Sequence, residues 1–169
     1  MAVEIERKFL LHEEPTARLE NREGLRLRQG YLAIDHAVEV RVRIGPESAV
    51  VTIKTGHGLT RTEVEMPIDP SDAEELWKYT EGRRIEKTRY LIDLCDDASE
   101  PGGCVAEVDI YCGELMGLCV VEVEFDDEPA ALEFAPPAWF GRELSGDERW
   151  SNARLARHGA PKEFTRDLP

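Results

Sequence analysis

Apolar and charged residues alternate with period two in one segment after another, and this pattern dictates strands. Successive side chains of a strand point to opposite faces, so each segment has one apolar and one ionic side. The first instance, "VEIERKFL" (3–10), sets Val3, Ile5 and Phe9 against Glu4, Glu6 and Lys8. The pattern recurs at 25–34, 37–45, 48–56, 59–68, 83–94, 104–111 and 118–125, giving eight candidate strands. Gly45-Pro46, Gly56-His57-Gly58 and Pro101-Gly102-Gly103 punctuate them as hairpin loops would.

Two connections are predicted helical, and the final quarter adds two further helices. Residues 15–21 form a short one, and "DPSDAEELWKYT" (69–80) a stronger one, with an Asp or Ser cap, early acids, and Leu76 and Trp77 to bury. "DEPAALEF" (127–134) is the third, followed by a rigid loop at 135–141. "SNARLARHG" (151–159) adds a last short helix with a glycine stop. No long-period repeat or low-complexity linker divides the chain, so 1–169 is expected to be one domain, with 127–169 packed on it as a helical and loop segment.

On the polar faces the strands carry Glu4, Glu6 and Lys8; Arg41 and Arg43; Lys54; Glu63 and Glu65; Lys87 and Arg89; Glu107 and Asp109; Glu122 and Glu124. A solvated face of an antiparallel sheet also alternates. Here, however, like charges sit in adjacent i, i+2 pairs that repel, which solubility alone does not require. Paired carboxylates from separate strands suit a hard cation such as Mg²⁺ or Mn²⁺, and paired Arg and Lys suit phosphate. Eight strands suffice to close a barrel around one small ligand, with the ionic face inward and the apolar face covered by helices.

Composition narrows the partners. With 35 Asp and Glu against 21 Lys and Arg, the net charge is −14, which argues against nucleic acid and anionic membrane as partners. No apolar run reaches the length of a bilayer span and no signal peptide opens the chain, so the expected location is cytoplasmic. Cys95, Cys104, Cys112 and Cys119 lack C-x-x-C spacing and are expected to be reduced thiols, several packed in strands, rather than zinc ligands. Composition says nothing of oligomeric state.

The ordered set of ionic motifs resembles the CYTH superfamily, the triphosphate tunnel metalloenzymes. Glu4-x-Glu6-x-Lys8 comes first, then "RVR" (41–43), Lys54 before a glycine loop, "RTEVE" (61–65), "EKTRY" (86–90), "EVDIY" (107–111) and "VEVEF" (121–125). The C-terminal "PPAWFGRELSGDERWSN" resembles the short bacterial members, with Trp150 where that pattern has Tyr. The resemblance implies a mainly β (α+β) fold, an eight-stranded antiparallel barrel forming a tunnel. It further implies an enzyme that hydrolyses inorganic triphosphate to pyrophosphate and phosphate with Mg²⁺ or Mn²⁺, at a two-metal site. The same family holds nucleoside and thiamine triphosphatases and adenylate cyclases. A module that binds polyphosphate or nucleotide without turnover is the non-enzymatic alternative.

Under this resemblance Lys8, Arg41, Arg43, Lys54, Lys87 and Arg89 bind phosphate oxygens. Glu4, Glu6, Glu122 and Glu124, with Glu63 and Glu65, are the expected metal ligands. Glu107, Asp109, Arg61 and Tyr31 stand behind them as supporting groups, and simple ion pairing inside the barrel is the competing role for the acids. No Ser, His and Asp arrangement or covalent nucleophile suggests itself. Arg26 and Arg28, and the four histidines (His12, His36, His57, His158), are assigned to the surface.

Overall fold

The computed structural model describes residues 2–12, 14–35, 38–56, 60–94 and 104–164. All eight expected strands form: β1 (Ala2–Leu10), β2 (Leu25–Ile34), β3 (Val38–Ile44), β4 (Ala49–Thr55), β5 (Thr60–Pro67), β6 (Arg84–Asp93), β7 (Val105–Tyr111) and β8 (Cys119–Glu124). They close into one barrel in the order β1-β5-β4-β3-β2-β6-β7-β8, with antiparallel neighbours throughout. The register brings the ionic residues into facing positions. Lys8 lies opposite Glu122 and Glu6 opposite Glu124, Arg89 opposite Asp109, and Lys54 opposite Glu63. A register slip by one residue would turn these groups outward, so the alternation itself selects the pairing.

The outward apolar rows are covered in two patches. Phe9, Val108, Val121 and Val123 pack with Leu19 of α1 (Thr16–Leu19) and with Phe134, Trp139 and Phe140 of the segment after α3 (Glu128–Glu133). On the other side, α2 (Pro70–Trp77) buries Ala73 against Val42, Ile44 and Ala49, with Ile68, Leu76 and Trp77 at the margin. Asp69 caps α2 by accepting from the Ser71 amide at 2.8 Å, and Pro70 presets its first turn. The expected helical cover is incomplete: α2 lies over β3 and β4, and Val64 and Met66 of β5 remain 39% and 41% exposed.

The chain after Gly141 seals the seam beside β1. Only residues 2–5 of β1 pair with β5. Further along, the Leu10 amide donates to the Arg142 carbonyl at 2.8 Å, the Leu144 amide to the Lys8 carbonyl at 2.8 Å, and the Lys8 amide to Ser145 Oγ at 3.0 Å. The strap then turns inward. Leu144, Trp150 and Leu155 of α4 (Asn152–His158) pack with Ile85, Tyr111, Leu118 and Val120. Ile85, Tyr111 and Val120 stand two residues from Lys87, Asp109 and Glu122 and share their inward face, so the C-terminal segment fills the β6–β7–β8 side of one barrel end.

Among the described residues no helix is long and apolar enough to cross a membrane. Of the cysteines, Cys119 is buried in β8, Cys104 half-buried and Cys112 exposed; all three are free thiols, and Cys95 lies outside the described residues.

Candidate functional site

A cavity of about 550 Å³ occupies the barrel. Its wall includes Glu4, Glu6, Lys8, Tyr31, Arg41, Arg43, Lys54, Glu63, Glu65, Lys87, Arg89, Glu107, Glu122 and Glu124. Two expected site residues stand apart. Asp109 is fully buried behind the wall, and the Arg61 side chain lies outside the described residues, its backbone opposite Glu4. Four polar wall residues, Gln29, Glu39, Ser151 and Asn152, were not anticipated from the sequence. Glu39 did carry a signal, since it precedes Arg41 and Arg43 at the same two-residue spacing. Ser151 and Asn152 carried none, because a fold-back of the chain end brings them there.

Most of the ionic groups are paired across strands. Lys54 bridges Glu4 and Glu63, each at 2.8 Å, and Arg43 meets Glu65 at 2.8 Å. Lys8 holds Glu122 at 2.7 Å. Arg89 contacts Asp109 at 2.7 Å and Glu122 at 2.9 Å, and also Glu107; Asp109 in turn holds Lys87. Asp109 thus orients Lys87 and Arg89 from behind. Arg41 is held more loosely: it reaches Glu63 at 3.3 Å, and its buried Nε has no hydrogen-bond partner among the described residues. A buried, unmatched guanidinium donor on a cavity wall favours an anion there.

The acids divide into two environments. Burial alone would raise Glu122, but Lys8, Lys87 and Arg89 overcome it and hold the carboxyl well below its usual range. Glu124 goes the other way. Burial, then the charges of Glu107, Glu4, Glu6 and Glu122, push it up to about 7. A carboxyl crowded by four others is stabilised by a cation, and an all-oxygen group of this kind matches a hard divalent ion. Among the described residues no three acidic, His or Cys side chains already converge as a formed cation site. The ion pairs give the reason: Glu4, Glu63, Glu65 and Glu122 are turned toward Lys and Arg.

Of the remaining residues read from the sequence, Tyr31 and Arg28 have structural partners. Tyr31 is buried, its hydroxyl accepting from Gln29 Nε2 at 2.7 Å on the cavity wall. Arg28 lies outside the barrel, paired with Glu74 and stacked over Trp77, and Arg26 is exposed. His12 and His158 are exposed, while His36 and His57 lie outside the described residues.

Comparison with known proteins agrees with this architecture. The CYTH domain model matches residues 2–146. An inorganic triphosphatase of Nitrosomonas europaea is 44% identical over 154 residues, covering 90% of this chain and 96% of the relative. One from Acetivibrio thermocellus is 36% identical over 160 residues, covering 94% and 96%. The crystal structure of an inorganic triphosphatase, 41% identical, superposes with a TM-score of 0.66 and covers 93% of this chain and 99% of that one. A conserved protein from Pyrococcus furiosus, 20% identical with a TM-score of 0.54 over 95% of this chain, shares the fold. The chain belongs to the CYTH domain family.

Proposed function

We propose that this protein hydrolyses inorganic triphosphate to pyrophosphate and phosphate inside its barrel, with Mg²⁺ or Mn²⁺ as cofactor. One observation carries this reading: in a chain of net charge −14, six Lys and Arg side chains converge on a single cavity large enough for a triphosphate. Concentrating cations against the overall field matches a compact polyanion. The names of the Nitrosomonas and Acetivibrio relatives support the same substrate.

In this reading Lys8, Arg41, Arg43, Lys54, Lys87 and Arg89 hold the phosphate oxygens and keep the scissile bond in line. Arg and Lys donors preset on the wall also offset charge as it builds on the leaving group. Glu4, Glu6, Glu122 and Glu124, with Glu63 and Glu65, form the acidic side that would hold the cation. A divalent cation bound there supplies Lewis-acid polarisation of phosphoryl oxygens and a more acidic source of water. Were phosphate to engage Lys54, Glu4 and Glu63 would lose the ammonium they share and become available to hold the cation. Glu107, Asp109, Tyr31 and Arg61 act as supporting groups, and the domain spans residues 1–169 as a cytoplasmic unit. The deciding experiment is phosphate release from tripolyphosphate, pyrophosphate, ATP and thiamine triphosphate with each metal. The reading fails if tripolyphosphate bound in the presence of Mg²⁺ or Mn²⁺ releases no phosphate, which would leave a binding module.

A second reading, a nucleoside triphosphatase, has one feature in its favour. Leu25 and Leu91 continue the inward rows of β2 and β6 past Arg89 and are 46% and 57% exposed. An organic substituent could rest on this apolar lip. Turnover of ATP as fast as tripolyphosphate would favour it.

A further inference from the structure

The C-terminal strap does more than fill one end of the barrel, because two of its residues, Ser151 and Asn152, reach the cavity. Ser151 is occupied as the cap of α4, its hydroxyl accepting from the Arg154 amide at 3.2 Å. Asn152 is held differently. Its Oδ1 accepts a hydrogen bond from the buried Tyr111 hydroxyl at 2.6 Å. That bond fixes the amide so that Nδ2, with two N–H donors, is the end left over, and no protein acceptor meets it among the described residues. The same Tyr111 ring lies under the Lys87 ammonium, 5.8 Å from the ring centroid. Behind Asn152 the strap is apolar, with Trp150 and Leu155 packed on Leu118 and Val120.

We infer that Asn152 contacts the substrate, donating from Nδ2 to the innermost phosphoryl group and requiring that group to be unesterified. This inference rests on the triphosphate reading of the cavity and adds to it a chain-end specificity. The chemistry fits. A terminal phosphoryl group presents three acceptor oxygens and no donor, so an amide N–H complements it. Further positive charge at this end has little to add, since Lys8 and Lys87 already stand beside it with their acids. The packed apolar strap leaves an ester substituent nowhere to go at this end, so substituents must lie at the open mouth.

The test is the affinity of the full-length enzyme for tripolyphosphate, titrated with EDTA present to hold turnover off. Asn152→Asp keeps the size and the acceptor for Tyr111 but turns the donor into a negative charge facing the phosphates. Affinity is expected to fall about 100-fold with the melting temperature unchanged, and Asn152→Ala to fall about 10-fold, the scale of one hydrogen bond to a charged group. A dinucleoside triphosphate, blocked at both ends, is expected to compete at least about 100-fold less well than tripolyphosphate. Affinity of Asn152→Asp within about threefold of wild type, well inside the effect of one such bond, overturns the inference while leaving the triphosphate reading intact. If Asn152→Asp fails to fold, Asn152→Ala decides, and wild-type affinity in that variant overturns the inference. Should wild type bind no tripolyphosphate even with Mg²⁺ or Mn²⁺ present, both fall.

Discussion

Arg7 sits between two cavity residues, Glu6 and Lys8, yet points the other way, and its guanidinium ties one carboxylate and two carbonyls together. It donates to both Glu143 oxygens at 2.8 Å and to the carbonyls of Ala131 and Phe134 at 3.0 and 2.8 Å, and it lies over the rings of Phe9 and Phe134. Arg7→Ala is expected to cost about 2 kcal/mol, checked by urea denaturation, because the two buried carbonyls and Glu143 lose their donor together. The hydrogen bond from Arg7 outweighs burial at Glu143 and holds its carboxyl below its ordinary value. The pair therefore contributes fully above the unfolded-state pKa of about 4.3, and its contribution is lost as pH falls through the lower folded value. Because Glu143 is 41% exposed, solvent reduces this share. Glu124 has the opposite sign. Its folded value of about 7 lies above the unfolded one, so the ligand-free protein loses stability as pH rises through that window. Glu124→Gln is expected to raise the melting temperature at pH 8 and to give no advantage at pH 4, a comparison that scanning calorimetry makes directly.

At the scale of elements, the strap depends on one small residue. A Cβ on Gly141 would lie 2.3 Å from the Leu10 carbonyl oxygen, a backbone atom of β1 that cannot swing aside. Gly141→Ala is expected to push the strap off β1, break the Leu10–Arg142 and Leu144–Lys8 bonds, and lower stability by about 2 kcal/mol or more, seen as a drop of several degrees in melting temperature. Leu155, 2% exposed in the plug, tests the other end of the same element. Leu155→Ala is expected to cost about 2–5 kcal/mol. All eight strands were legible in the sequence because period two survives in each one, and so were their inward rows except that of β2, where Arg26 and Arg28 face away and Leu27, Gln29 and Tyr31 line the cavity. The plug was not. "SNARLARHG" shows a helix with a cap and a stop, but nothing local says that it turns into a barrel end. Asn152 was missed for the same reason, whereas Glu39 was missed although its spacing from Arg41 and Arg43 was visible.

For the whole molecule, the cavity is a balanced network whose cations are partly spoken for. Tripolyphosphate with Mg²⁺ is expected to raise the melting temperature in proportion to the logarithm of ligand concentration, about 2.7 kcal/mol of stabilisation at a hundred times Kd. Lys54→Ala is expected to abolish most of this shift, since it removes a phosphate donor and leaves Glu4 and Glu63 without the ammonium they share. An unchanged thermal shift in that variant would take Lys54 out of the substrate cradle. Alternation and charge, both local properties written residue by residue, determined the strand count, the two-faced sheet and the identity of most groups that meet in the cavity. Three things were decided only by tertiary structure: which acid pairs with which base, how far Glu124 departs from an ordinary carboxyl, and what closes the barrel. Each depends on distances between strands far apart in the chain and on burial that only the closed barrel creates.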